Sequence, residues 1–89
     1  MSYNVTEGNM IVLPCVTYAK PPATIKWTRV NAENSNSELD KYVMFDGSLQ
    51  LKAKFADSGK YRCEARNDAG VATSEMLLNV YSMLFKVAF

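Results

Sequence analysis

The sequence contains no histidine, and its 89 residues include only two cysteines and one tryptophan. The absence of histidine removes the side chain that proteins use most often as a general base and as a metal ligand. No apolar run is long enough to cross a bilayer as a helix. Ten basic and nine acidic residues leave a net charge of +1. We therefore expect no membrane contact by this segment, no binding of nucleic acid and no cofactor.

Residue groupings that support catalysis are absent as well. The carboxylates are scattered, so that no pair is placed for acid–base work, and no serine stands next to a candidate base. No glycine-rich phosphate loop occurs. Asp57 directly precedes Ser58-Gly59, and we interpret it as a corner residue of the fold and not as a catalytic acid. These observations predict a protein that is not an enzyme.

Alternation of apolar and polar residues with a period of two dominates the chain, and no stretch shows a helical stripe. The alternating runs are Ile11–Cys15, Ile25–Arg29, Leu49–Leu51, Tyr61–Ala65 and Met76–Val80. Asp46-Gly47 predicts a tight hairpin between Tyr42–Phe45 and Ser48–Ala53, and Asn67–Gly70 predicts a second hairpin. Short strands separated by turns are typical of an all-β sandwich.

The two cysteines, Cys15 and Cys63, lie 48 residues apart. Neither has the close-spaced partner that a zinc site requires. They form either a disulfide or, in a reducing compartment, two buried free thiols. A disulfide that closes a loop of this length stabilises a fold by about 4 kcal/mol on the chain-entropy model. Such a contribution matters in a short chain, because a small domain buries a smaller share of its surface than a large one.

A tryptophan and a tyrosine accompany the cysteines. In a sandwich, Cys15 and Cys63 would point inward from facing sheets about 10 Å apart, and Trp27 would fill the space beside them. Tyr61 stands two residues before Cys63. This Cys–Trp–Tyr–Cys arrangement is a hallmark of immunoglobulin domains. We expect the Tyr61 hydroxyl to bond to upstream backbone near Asp57.

The chain resembles the intermediate type (I-set) of the immunoglobulin superfamily from Val5 to Val80. The matching residues are Val5, Glu7, Gly8, Ile11, Leu13, Cys15, Pro21, Ile25, Trp27, Leu49, Leu51, Asp57, Gly59, Tyr61, Cys63, Ala65, Asn67 and Gly70. The resemblance implies an antiparallel β-sandwich over residues 1–80. Its structural signature would consist of Trp27, Leu51, Asp57, Gly59 and Tyr61. Related domains have a further strand upstream of the Val5 segment, so we expect a sandwich without a full first strand.

Residues 81–89 form an apolar extension that contains one charge, Lys86. One interpretation is a linker towards a following segment. The other is a strand that pairs along the edge left bare by the incomplete first strand, in the same chain or in a homodimer. Met83, Leu84 and Phe85 would carry that contact.

The outer face of the sheet that holds Trp27 and Cys63 is predicted to carry Lys26, Arg62, Arg66 and Leu77, next to acidic side chains. Mixed charge is typical of a solvated face, where exposed ion pairs contribute little. A leucine among charges favours a protein contact. Asn4-Val5-Thr6 is in addition an N-glycosylation sequon, a tripeptide that also occurs by chance.

The resemblance implies a protein-interaction module of an extracellular cell-adhesion molecule or receptor ectodomain. Such a module would bind its own kind or another protein through a sheet face or an edge strand. The alternative is a spacer domain of an intracellular muscle-type scaffold, in which the same fold carries reduced cysteines. The two hypotheses differ in the oxidation state of Cys15 and Cys63.

Overall fold

The computed structural model describes residues 1–15, 23–30, 39 and 41–82, and within them the chain forms six β-strands in two sheets. The strands are β1 (Ser2–Thr6), β2 (Met10–Leu13), β3 (Thr24–Arg29), β4 (Leu49–Lys52), β5 (Gly59–Asn67) and β6 (Gly70–Tyr81). Their order is β1-β6-β5-β3 in one sheet and β2-β4 in the other. Strand β1 pairs with β6 in parallel, whereas the other strand pairs are antiparallel. The all-β sandwich predicted from the sequence is confirmed.

The hydrophobic core lies between the two sheets. Its buried members are Leu13, Trp27, Leu49, Leu51, Ala53, Tyr61, Cys63, Met76, Leu78 and Val80. They occupy alternate positions along the strands, as the period of two in the sequence predicted. In β5, for example, Tyr61 and Cys63 are buried while Arg62 is exposed. Each fully buried large apolar side chain stabilises the fold by about 1.5–3 kcal/mol, which holds the sheets together.

The predicted hairpin between β5 and β6 is present and has a two-residue loop. Asn67 lies opposite Gly70 in the strand register, so Asp68 and Ala69 form the loop. The side-chain oxygen of Asn67 accepts a hydrogen bond of 2.8 Å from the backbone N–H of Ala69. Asparagine commonly fixes turns by bonding to backbone two residues further on.

The segment before β4 differs from the prediction of a strand over Tyr42–Phe45. Only Val43 bridges to β4, at Leu49, and Tyr42 belongs to a short 3-10 turn. The predicted hairpin itself is present, with a three-residue loop: the N–H of Met44 donates to the carbonyl oxygen of Ser48 at 2.8 Å, and the N–H of Gly47 donates to the carbonyl oxygen of Met44 at 3.0 Å. The arm before the turn is short because the chain leaves the extended conformation at Tyr42, so that pairing with β4 ends at Val43.

Gly8 and Asn9 carry the chain from β1 in one sheet to β2 in the other. Gly8 has a φ of +93°, a conformation that glycine adopts without a steric penalty. Its N–H donates to the carbonyl oxygen of Ala53 at 2.8 Å, and the N–H of Ala53 donates to the carbonyl oxygen of Asn9 at 2.9 Å. Two residues thus face one, which is a β-bulge that turns the chain into β2.

Strand β6 is covered along only part of its length. Met76, Leu78 and Val80 point inward and are buried, whereas Ala72 and Ser74, on the same alternation, are exposed. We call the region of Met76–Val80 the closed half of the sandwich and the region of Ala72–Ser74 the open half.

Strand β2 pairs with β4 on one side, and in the part of the chain that the structure describes it has no partner on the other.

Candidate protein-interaction surface

Cys15 and Cys63 form a disulfide, with their Cα atoms 6.2 Å apart. Trp27 in β3 lies opposite Cys63 in the strand register and is fully buried. The indole N–H of Trp27 donates to the carbonyl oxygen of Gly47 at 2.7 Å. A buried tryptophan needs such a partner for its polar atom. These residues therefore hold the fold together, with Trp27 and Cys63 buried out of reach of a partner.

The hydroxyl of Tyr61 donates to the carbonyl oxygen of Asp57 at 2.6 Å, as the sequence predicted. Burial raises the pKa of this phenol, because the charged form loses its hydration. The carboxylate of Asp57 accepts a hydrogen bond of 2.8 Å from the N–H of Lys54. Asp57 is thus engaged in the corner of the chain, where Phe55–Asp57 form a 3-10 turn.

Arg29 anchors the same corner, a role that the sequence did not reveal. Its guanidinium donates to the carbonyl oxygens of Ala56, at 2.7 Å, and Ser58. It also lies 5.8 Å from the centre of the Tyr61 ring. A Cβ on Gly59 would come within 3.3 Å of the Arg29 Nε, so the small residue leaves room for the arginine. The available signal was an arginine at an inward position of the alternating run Ile25–Arg29.

The outer face of the four-stranded sheet carries the charged residues that the sequence placed there. Lys26, Arg62 and Arg66 are exposed, and Leu77 is 42% exposed. In the strand register Lys26 lies opposite Glu64, and Arg62 lies opposite Glu75. Charges of opposite sign therefore face each other across neighbouring strands.

Ion pairs fix several of these side chains. Arg62 donates to the Oε2 of Glu75 through its Nε at 2.8 Å and through its Nη2. The Nζ of Lys60 lies 3.8 Å from the Oε1 of Glu75, and the Nη2 of Arg66 lies 3.5 Å from the Oε2 of Glu64. The hydrogen bonds from Arg62 hold the pKa of Glu75 below its usual value. Exposed pairs of this kind add little stability, so their main effect is to orient the arginines.

The register divides the outer face into two halves. Lys26, Arg62 and Arg66 lie on β3 and β5, and we call this region the basic half. Leu77 lies on β6, next to β1, and the Leu77 side of the face is the β1–β6 half. Neighbouring strands are about 4.8 Å apart, so β3 and β6, with β5 between them, are separated by about 10 Å. Lys26 is thus separated from Leu77. Arg62 on β5 is in contrast the diagonal neighbour of Leu77, because Lys60, two residues before Arg62, is the register partner of Leu77.

Asn4, the predicted glycosylation residue, belongs to the β1–β6 half. It lies opposite Asn79 in the register, and the side-chain amide of Asn79 donates to the Asn4 Oδ1 at 2.9 Å. Asn4 is exposed. The other predicted contact residues, Met83, Leu84 and Phe85, lie outside the described residues.

The model of the family described as Immunoglobulin domain matches residues 1–67. The chain belongs to the immunoglobulin domain family. This immunoglobulin domain is 38% identical over 76 residues to Hemicentin-2 of Mus musculus, covering 83% of the chain and 2% of that protein. It is 36% identical over 78 residues to the Muscle M-line assembly protein unc-89 of Caenorhabditis elegans, covering 83% and 1%. The domain thus spans a very small part of these relatives.

Among solved structures, the immunoglobulin domain is similar to Drosophila OTK, extracellular domains 3–5. The TM-score is 0.72 at 25% identity, over 86% of the chain and 27% of that structure. Homologues among adhesion molecules and muscle proteins support an immunoglobulin module for protein interaction. No helix in the described ranges is long and apolar enough to cross a membrane.

Proposed function

We propose that the chain is an I-set immunoglobulin domain of an extracellular cell-adhesion molecule or receptor, and that it binds another protein without catalysing a reaction. The observation that carries the extracellular assignment is the Cys15–Cys63 disulfide. Disulfides persist in oxidising compartments, whereas thiols in the cytosol are kept reduced. The similarity to extracellular domains of OTK supports the same assignment.

The contact surface that we propose is the basic half of the outer face. Arg62 is held by Glu75 and Arg66 by Glu64, so a partner would meet arginines that are already ordered. Ordering side chains before association lowers the entropy cost of binding. Arginine is also enriched in protein interfaces. The complementary partner would present acidic groups to Lys26, Arg62 and Arg66.

A cell-surface binding assay with a tetrameric form of the chain tests this surface. Changing Lys26, Arg62 and Arg66 to alanine should weaken binding by at least about tenfold, or 1.4 kcal/mol. The control changes Lys41, Lys52 and Lys54 to alanine, which removes the same charge from exposed positions outside the basic half. Equal binding by the two variants would show that the basic half is an ordinary solvated surface.

The alternative is a spacer domain of an intracellular scaffold, and the similarity to the muscle protein unc-89 favours it. The two proposals differ in Cys15 and Cys63. Intact mass after thiol alkylation, on chain isolated from its natural cells without reductant, separates them. An unalkylated chain that lacks two hydrogens supports the extracellular domain, whereas two alkyl groups would support the scaffold.

We also propose that the chain associates with itself through an edge strand. Within the described residues β2 has a partner strand on one side only, and its Met10 and Val12 are 53% and 45% exposed, which supports this proposal. An unpaired apolar edge is a template for pairing with another chain. Sedimentation compares the full chain with a chain that ends at Val80. If residues 81–89 carry the contact, the full chain should form dimers and the shortened chain should be monomeric. Only monomers in both samples would exclude self-association.

A further inference from the structure

Two apolar side chains stand exposed in the β1–β6 half of the outer face. Leu77 is 42% exposed and Tyr81 is 51% exposed. They lie on β6 at equal distances on either side of Asn79, and the side chains of a strand point to one face at every second position. Asn79 is the direct register partner of Asn4. Asn4 therefore lies midway between the two apolar residues.

The hydrogen bond from Asn79 engages only one of the two polar atoms of the Asn4 side chain. Its Oδ1 accepts that bond, so this contact does not involve the Nδ2, and the residue is exposed. This nitrogen is the atom to which an N-linked glycan is attached. Thr6 lies on the same face of β1 two residues further on and completes the acceptor tripeptide. Val5 alternates to the opposite face, where it packs against the core.

We propose that Asn4 carries an N-linked glycan whose first sugars lie over Leu77 and Tyr81. The proposal rests on the extracellular function proposed above, because the glycan is added on the secretory route. Two residues of a strand span about 6.6 Å, so both apolar side chains are neighbours of the attached sugar. The C–H groups of a pyranose ring would cover leucine and tyrosine, while its hydroxyl groups would stay in water.

The modification is a group transfer from a lipid-diphosphate-linked oligosaccharide, catalysed by a transferase of the secretory route. The Nδ2 of Asn4 forms a bond to the anomeric carbon of the first sugar and loses a proton. The bond between that carbon and the phosphate oxygen breaks, and the lipid diphosphate leaves with the electron pair.

The glycan would decide which parts of the domain remain open to partners. In the described part of the chain β1 is the outer strand of its sheet, and a bulky sugar on it would block the addition of another strand. It would also cover the apolar residues that otherwise favour association. Protein contacts would then be confined to the basic half and to the edge of β2.

The first test is intact mass of the full chain secreted from a glycosylating cell line, before and after treatment with peptide N-glycosidase. We expect a glycan that the enzyme removes, leaving aspartate at position 4. Asn4→Gln and Thr6→Ala should both abolish it, whereas Asn9→Gln, which changes an exposed asparagine outside a sequon, should not. A secreted, disulfide-bonded chain without a glycan would contradict the proposed glycan and leave the extracellular function standing. A chain that is retained in the cell with free thiols would overturn the extracellular function as well.

The second test measures what the glycan covers, and it requires no variant. Hydroxyl-radical labelling should increase several-fold at Leu77 and Tyr81 after enzymatic removal of the glycan. Val71 on the same strand and Tyr42 outside the sheet are exposed to a similar degree and should not change. Unchanged labelling at Leu77 and Tyr81 would show that the sugars point away from them.

Discussion

The closed and open halves of the sandwich are built from the same strands but are held in different ways. In the closed half, β6 buries the large side chains of Met76, Leu78 and Val80 against the second sheet. In the open half, the inward positions of β6 hold Ala72 and Ser74, which remain exposed. The pairing of β5 with β6 nevertheless continues to Gly70. The strand pairing thus extends beyond the stretch in which β6 buries large side chains.

The disulfide lies at the border between the two halves. Cys63 is the register partner of Ser74, and its bond to Cys15 ties the sheets together beside Trp27, where the inward positions of β6 become exposed. A covalent link at this point restricts the separation of the sheets where little apolar surface is buried. Stabilisation by packing is therefore concentrated in the closed half, whereas in the open half the Cys15–Cys63 disulfide contributes more to holding the sheets together.

The largest difference between the halves is expected from side-chain truncation. Leu78→Ala removes a fully buried side chain and should lower the free energy of unfolding by about 2–5 kcal/mol. Ser74→Ala, at an exposed inward position of the same strand, should change it by less than about 0.5 kcal/mol. Urea denaturation monitored by Trp27 fluorescence measures both. Equal losses would mean that the halves are packed alike.

Two glycines offer a smaller but more specific comparison. Gly47 has a φ of +92° and Gly8 a φ of +93°, so alanine at either site costs about 1–2 kcal/mol for its conformation. A Cβ at Gly47 would in addition lie 2.6 Å from the carbonyl oxygen of Cys15, whereas at Gly8 it would meet no atom within 4 Å. Gly47→Ala should therefore lower the thermal midpoint more than Gly8→Ala. Equal decreases in the thermal midpoint would show that the backbone at Cys15 makes room for the new Cβ without a cost in stability.

Within the closed half, the Tyr61 hydroxyl should contribute modestly. Tyr61→Phe removes the hydrogen bond to Asp57 and should cost about 1 kcal/mol in chemical denaturation. Tyr42→Phe, on an exposed tyrosine, is the matched control and should have no effect. A neutral result for Tyr61→Phe would indicate that water replaces the lost donor at the corner.

The smallest effect is expected on the outer face, at Glu75. Its pKa in the folded chain is held below the ordinary value of 4.5 by Arg62. A lowered pKa stabilises the fold above the ordinary value, and this contribution is lost as the pH falls through the lowered pKa. Glu75→Gln should therefore make the free energy of unfolding slightly less dependent on pH below the ordinary value of 4.5. An unchanged acid profile would show that the ion pair with Arg62 is not maintained in solution.

Much of the fold was predictable because a period of two appears directly in the residues. The alternating runs, such as those around Trp27 and Tyr61, predicted β2 to β6 and their buried sides. For Cys15 and Cys63 the sequence left a disulfide and two free thiols open, and the structure has the disulfide. The hairpin at Asp46-Gly47 was predicted, but the short arm before it was not, because Asp46-Gly47 marks a turn without specifying how far the chain stays extended on either side of it.

The exposure of Ala72 and Ser74 could not be predicted from the alternation that they continue. It depends on how many strands the opposite sheet contains at that point, which is a property of distant residues. For the candidate surface, the outward direction of Lys26 and Arg62 was predicted correctly and is confirmed, while their part in binding stays a prediction. The separation of Lys26 from Leu77, and the closeness of Arg62 to it, follow from strand order and register, which the local pattern does not contain.

The parallel pairing of β1 with β6 has a mechanical consequence. Ser2 at the start of β1 lies beside Leu77, and Thr6 at its end lies beside Tyr81, where β6 ends. A force that pulls the two ends of the chain apart would therefore act along these strands in opposite directions. All the register pairs between them would be sheared together instead of being unzipped one after another. Tension would meet its main resistance in this short pair of strands, with the hydrogen bond between Asn4 and Asn79 as an additional link.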